Sequence, residues 1–172
     1  MILTPTKIQG AYLVELEKLE DDRGFFARSW CAETFRKAGL NGDLVQCSVS
    51  YNRKRGTLRG MHWQEAPHGE AKLVRCIKGE IYDVIYDLRP ESSTYGRWQA
   101  FTLDASSRQA LYVPEGVAHG FQTLTDDTEL FYQMSTAFEP SASRTLAWND
   151  PKAGIDWPIS EPILSEKDRS AR

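Results

Sequence analysis

Cysteine is scarce in this chain of 172 residues: there are 3, at Cys31, Cys47 and Cys76, an odd number set far apart with no Cys-x-x-Cys pair. That spacing argues against a disulfide framework and against a zinc knuckle, and it is the usage of a reducing compartment. No apolar segment reaches the roughly 18 residues a bilayer-spanning helix needs. The opening residues, MILTPTKIQGAYLVELEKLEDDRG, lack a basic region followed by an apolar run of signal length. The expectation is a soluble, cytoplasmic protein with no membrane partner. Positive charge is not in excess either: 21 Lys and Arg against 24 Asp and Glu leave a net charge of -3. No global field would draw in nucleic acid, and a polyanion would need a local cluster. Arg53-Lys54-Arg55 is such a run, but three basic residues in a turn read as solvated surface.

Repeats, low-complexity tracts and linkers are also missing, and the length fits a single domain, residues 1–172, that buries about two thirds of the surface its unfolded form exposes. Short strand patterns dominate. Ala11 to Leu19 is rich in strand formers, and the turn residues Glu20 to Gly24 separate it from Phe25-Phe26. Ala32 to Ala38 is the one fair early helix, with Gly39 placed as its C-terminal cap. Leu44 to Tyr51 reads as a strand and Asn52 to Gly56 as a turn. Lys72 to Ile77 and Ile81 to Leu88 flank Lys78-Gly79-Glu80 and predict a hairpin. Trp98–Leu103, Gln109–Val113, His119–Leu124 and Thr128–Ser135 follow as strands, an irregular tail runs from Trp148 through Pro158, and Ser165 is placed to cap a short terminal helix. Turn residues recur at intervals of roughly 8 to 12, the spacing of an antiparallel sandwich or barrel. Such a sandwich closes poorly at its edges, and pairing edges between two copies predicts a homodimer.

Chemistry concentrates in Gly56 to Lys72, GTLRGMHWQEAPHGEAK. Arg59 and Lys72 are fixed cations suited to a phosphate or a developing oxyanion, and His62 is a side chain that changes protonation near neutral pH. Arg59 and His62 are three apart, so a regular strand would send them to opposite faces. Gly60 between them could host a bulge that brings both to one face.

Two segments, Gly56 to His62 and Pro114 to Phe121, resemble the two sequence boxes of the cupin superfamily, which implies an all-β, cupin-type jelly roll with a few short helices. Where the metal-dependent cupins continue with a second histidine and a glutamate, this chain has Gln64 and no glutamate at the following spacing, so half of a metal site is missing. The resemblance narrows over whole segments: Asp22-Arg23-Gly24-Phe25-Phe26, Val45-Gln46, Leu58 to His62, Lys72 to Arg75, Pro114 to Phe121, Trp148 to Pro151 and Ser165 to Asp168. In order and over nearly the full length, these resemble the nucleoside-diphosphate 4-keto-6-deoxysugar 3,5-epimerases, the family of dTDP-4-dehydrorhamnose 3,5-epimerase. The resemblance implies a nucleotide-sugar substrate, no cofactor and no metal. His62 is implied as the base that takes a proton from carbon beside the 4-keto group, Asp168 as its carboxylate partner, Lys72 as the enolate-stabilising cation and Tyr132 as the acid on the opposite face. Arg23 and Arg59 are implied at the phosphates, His119 and Lys167 at further substrate contacts, and Gln46 in the nucleotide pocket. By pattern alone, Tyr132 between Leu130 and Met134 reads as core, and Asp168 near the end of the chain reads as exposed.

The nucleotide positions depart from the family. Arg28 stands where the dTDP-using members carry Glu, Ser48 replaces Asn in the Gln-x-Asn of the pocket, and Ser143 replaces a second Glu. An arginine only donates hydrogen bonds, so Arg28 opposes the N3–H of thymine where a carboxylate would accept it, and a base presenting acceptors would suit it better. Two other classes remain open on the residues: a non-catalytic sugar-nucleotide-binding cupin, favoured if His62 and Asp168 do not touch, and a metal-dependent cupin enzyme.

Overall fold

The computed structural model describes residues 1–171. In chain order the strands and helices are β1 (Ile2–Pro5), β2 (Tyr12–Glu15), β3 (Leu19–Asp21), β4 (Gly24–Phe26), α1 (Ala32–Lys37), β5 (Gln46–Asn52), β6 (Leu58–Gln64), β7 (Lys72–Lys78), β8 (Glu80–Asp87), β9 (Trp98–Asp104), β10 (Ala110–Val113), β11 (Val117–Thr123), β12 (Thr128–Met134), β13 (Ser143–Thr145) and α2 (Glu166–Ser170). Two antiparallel sheets face one another: six strands in the order β1-β2-β10-β7-β12-β5, and five in the order β13-β6-β11-β8-β9. This is the expected all-β jelly roll. A third, two-stranded piece, β3–β4, stands by itself at the Asp22-Arg23 turn.

Between the sheets, Val74, Cys76, Ile81, Ile85, Leu111, Val113, Phe121 and Leu130 form the main core, with Tyr132 packed against it. The period of two explains the selection: on β8, Ile81 and Ile85 face inward while Val84 and Tyr86 face out. The outer face of the six-stranded sheet is covered by Phe35 of α1 with Trp30 and Leu40, and that of the five-stranded sheet by the irregular tail through Ala153, Ile155 and Trp157.

The expected hairpin at Lys78-Gly79-Glu80 is not one. β7 pairs with β10 and β12, whereas β8 pairs with β9 and β11, so Gly79 is a corner where the chain leaves one sheet for the other. A glycine at positive φ (79°) between two strands marks either structure, and the sequence signal is the same. A side chain there would also strike Thr125 and Thr128, whose hydroxyls lie 2.5 and 2.6 Å from the Cβ position. The single strand expected over Ala11 to Leu19 is two, β2 and β3.

At the end of β8, Asp87 is fully buried and accepts hydrogen bonds from Arg89, Ser92 and Thr94, pinning the following loop. Burial pushes this carboxyl up, but those donors outweigh it and leave it at about 2. A carboxyl depressed in the folded chain stabilises it above the unfolded pKa and loses that contribution as pH falls through the folded one, so here the loss begins near the ordinary 3.8 and runs down to about 2. Asp87→Ala strands the Arg89 cation and is expected to lower stability by on the order of 3–5 kcal/mol in urea unfolding at pH 7, with a smaller deficit near pH 3.

Candidate active site

The parity conflict between Arg59 and His62 is resolved by the backbone. β6 and β11 pair His62 with His119 and Arg59 with Phe121, so Gly60 and Met61 together oppose the single residue Gly120. That is a bulge. Gly60 has φ 144°, and a Cβ on it would lie 2.5 Å from the Gly120 Cα, so both the conformation and the close approach demand glycine. The inserted residue turns Arg59 and His62 to the same side, and both line a cavity of about 210 Å³ with Ser48, Ser50, Lys72, His119 and Tyr132.

The walls are chemically distinct. His62 and His119 come from the five-stranded sheet, as Cα partners on neighbouring strands, and Ser48, Lys72 and Tyr132 come from the six-stranded sheet opposite. Asp168 is delivered by α2. Ser165 caps this helix, accepting from the Asp168 amide at 3.1 Å and donating its own hydroxyl to Asp168 Oδ2 at 2.9 Å. The approach to α2 is strapped to the barrel by Leu58 N to Ile163 O and Ile163 N to Gly56 O, and buried Gln122 bonds Ile159 from both ends of its amide. The result is a buried carboxylate, 3% exposed, with Oδ1 2.5 Å from His62 Nε2. Proximity to the chain's end does not expose it. Burial pushes the Asp168 carboxyl up, but the hydrogen bond and charge of His62 outweigh that and hold it below the usual range. A carboxylate accepts, so Nε2 carries the hydrogen and Nδ1 is the basic nitrogen of His62.

Across the cavity, Lys72 is buried and paired with Glu70 at 2.5 Å. Burial pulls its ammonium below the ordinary value, and Glu70 offsets only part of that. Tyr132 is both things the sequence allowed: its ring packs on the core and it also lines the cavity. Burial first, then the Asp83 carboxylate, hold its phenol well above the usual range against an opposite pull from Arg59, so this hydroxyl keeps its proton. At the rim, Arg59 donates to Asn52 and to the Tyr51 carbonyl. Gln46 and Lys167, both expected at the substrate, do not line the cavity itself: Gln46 accepts from the Phe138 amide at 3.1 Å, and Lys167 donates to Ser143.

Two further expected positions, Arg23 and Arg28, stand well apart from this cavity. Arg23 sits on the β3–β4 turn with its side chain 90% exposed and pairs with Asp21. Arg28 is exposed just beyond β4 and lines a separate cleft with Leu19 and Phe26. Gln64, where a metal cupin would carry its second histidine, is a strut: buried, it donates to the carbonyls of His68 and Ala137 and accepts from the Glu139 amide. Among the described residues no group of three or more His, Cys, Asp or Glu is placed to hold a metal ion. Three residues escaped the sequence reading: Glu70 beside Lys72, the exposed Phe138 beside Gln46, and Asp83, which bonds His119. Asp83 did leave a signal, an acid between the inward-facing Ile81 and Ile85 of β8.

The sequence profile of dTDP-4-dehydrorhamnose 3,5-epimerase matches residues 5–172. The chain belongs to that family. It is 40% identical over 173 residues to the dTDP-4-dehydrorhamnose 3,5-epimerase of Salmonella typhimurium, covering 99% of this chain and 94% of that one. It is 38% identical to a dTDP-4-dehydrorhamnose 3-epimerase of Streptomyces niveus, covering 99% and 83%. The crystal structure of the Bacillus anthracis 3,5-epimerase with TDP and PPi bound superposes with a TM-score of 0.94 at 38% identity, covering 99% of this chain and 98% of that one. The family's members are isomerases, and the touching His62–Asp168 pair is what a purely binding relative would not require.

Proposed function

We propose that this member of the epimerase family inverts C-3, C-5 or both in a nucleotide-linked 4-keto-6-deoxyhexose, by moving protons beside the ketone. The observation that carries the reading is the opposition of His62 and Tyr132 on facing walls of one cavity. Inversion needs a proton taken from one face of a carbon and another delivered to the opposite face. His62 Nδ1 takes the proton, Asp168 steadies the imidazolium that forms, and the electron pair left behind moves into the ketone to give an enolate. Lys72 faces the enolate oxygen as a fixed charge. Tyr132 then protonates the carbon from the far side. A space of about 210 Å³ is below the roughly 300–1,000 Å³ that encloses a whole drug-sized ligand. The sugar therefore lies inside, and the nucleotide crosses the rim past Arg59, with the exposed face of Phe138 and the amide of Gln46 available to its base.

Arg23 and Arg28 join the site from a second copy. A two-stranded hairpin alone is marginal in water, yet β3–β4 stands apart from both sheets with Leu19 70% and Phe26 75% exposed. The outer face of the six-stranded sheet near its β5 edge is likewise bare at Val49 and Tyr51, and buried Arg75 Nη2 there has no hydrogen-bond partner among the described residues. One copy's hairpin covering the other's open edge hides this surface and carries two cations to the rim of the facing cavity. Light scattering is expected to give about 39 kDa, twice the 19.5 kDa chain. Phe26→Asp is expected to shift the mass toward a monomer and raise KM; a wild-type monomer with full turnover would remove the dimer.

Offering dTDP-, CDP- and GDP-linked 4-keto-6-deoxyhexoses in deuterated water tests substrate and chemistry together. Proton NMR is expected to show deuterium entering C-3, C-5 or both of one of these sugars. No exchange with any of them would overturn the reading, and equal binding of dTDP and CDP would show that Arg28 does not select the base.

A further inference from the structure

A second histidine–carboxylate pair faces the same cavity from deeper in the barrel. His119 Nε2 lies 2.6 Å from Asp83 Oδ1, and Asp83 is completely buried with its other oxygen, Oδ2, bonded to nothing among the described residues. A buried carboxylate with one partner is costly, and packing gives no reason for it. On β8 it takes a place between Ile81 and Ile85 that an aliphatic side chain would fill.

We propose that Asp83 is a positioning residue for the proton-donor side of the cavity, locking the His119 ring through its Nε2–H so that Nδ1 is the nitrogen left to the substrate beside Tyr132. The proposal rests on the epimerase reading above. The geometry supplies two dyads with divided tasks. His62–Asp168 stands at the outer, half-exposed part of the wall and takes a proton, whereas His119–Asp83 is almost fully enclosed and sits edge-on to Tyr132, ring centroids 5.9 Å apart. The free oxygen of Asp83 leaves its negative charge uncompensated by a second donor. That charge is the next cause after burial of the hold on the Tyr132 proton, so the donor waits loaded until an enolate, a stronger acceptor, forms in front of it. Losing the hold of Asp83 on Nε2 frees the His119 ring that sits edge-on to Tyr132, which impairs delivery of the proton and not its abstraction.

Asp83→Asn keeps the shape and removes the charge. Its kcat for inversion is expected to fall about 10- to 100-fold, the range seen when groups that orient a functional histidine are lost, with KM nearly unchanged. Deuterium exchange without inversion should rise relative to inversion, and Asp83→Asn combined with Tyr132→Phe should be no slower than Tyr132→Phe alone. Equal loss of exchange and inversion, or full multiplication of the two losses, would overturn the proposal by making Asp83 merely structural. Should the variant not fold, nitrogen-15 NMR of the wild-type His119 ring decides: a slowly exchanging hydrogen on Nε2 and none on Nδ1 is expected, and the reverse tautomer overturns it. A wild-type enzyme that exchanges no proton with any of the sugars would instead defeat the epimerase reading, with the ring measurement standing apart from it.

Discussion

His62→Ala is expected to slow inversion by about 10²- to 10⁴-fold, the usual contribution of a positioned base, while leaving the melting temperature close to that of the wild type. The stability side follows from exposure: the His62 side chain is 34% accessible and bonds Asp168 at the cavity wall, so its removal opens no core cavity. The rate side follows from the place it occupies: His62 is the imidazole at the outer, partly exposed part of its wall, whereas His119 is enclosed deeper in the cavity against Tyr132. Asp168→Asn should approach the same loss. An amide in place of the carboxylate no longer stabilises an imidazolium, and it is free to present its NH₂ to Nε2 and favour the wrong tautomer. Asp168 is held below its ordinary 3.8, so its contribution is present above that value and fades only as pH falls beneath it. Loss of rate between pH 5 and 7 is then not its titration. Steady-state rates of the two variants, with thermal melts alongside, check both expectations.

Tyr132→Phe is expected to lower net inversion by a similar factor, about 10²- to 10⁴-fold, and to spare exchange of the same hydrogen with solvent. His62 still removes the proton, the imidazolium trades it with water, and without a donor on the far wall a solvent deuteron returns to the face it left. The sugar becomes labelled but not inverted. Proton NMR in deuterated water measures both rates in one tube, and an equal fall in the two would show that Tyr132 is not the donor. Phenylalanine preserves the ring that packs against the core, so the hydroxyl alone is tested.

Most of the strand inventory is legible from alternation and turn residues because each inner position of β7, β8 and β12 is a separate local decision about burial. Gly79 shows the limit: which sheet a strand joins is decided by partners far away in sequence, and a corner and a hairpin share the same glycine. Asp168 was legible through the resemblance and Ser165 through capping chemistry, but its burial depends on the Ile159 and Ile163 straps, which no local pattern announces. Arg23 and Arg28 look like site residues in sequence and sit outside the cavity in this chain, because a strand pattern does not say where a two-stranded hairpin stands relative to the sheets. Asp83 was missed for the opposite reason: an acid inside an apolar run reads as an exception to the pattern, when it is the buried half of a pair whose other half lies on β11.

The wash-in of solvent deuterium, followed for the preferred 4-keto sugar with wild type and with His62→Ala, bears most directly on carbon-proton removal by the Asp168-held imidazole. Wild type should label each carbon it inverts, at least as fast as it inverts it, and His62→Ala should label neither above background. Inversion that retains the original hydrogen, or labelling undiminished without the imidazole, would contradict it.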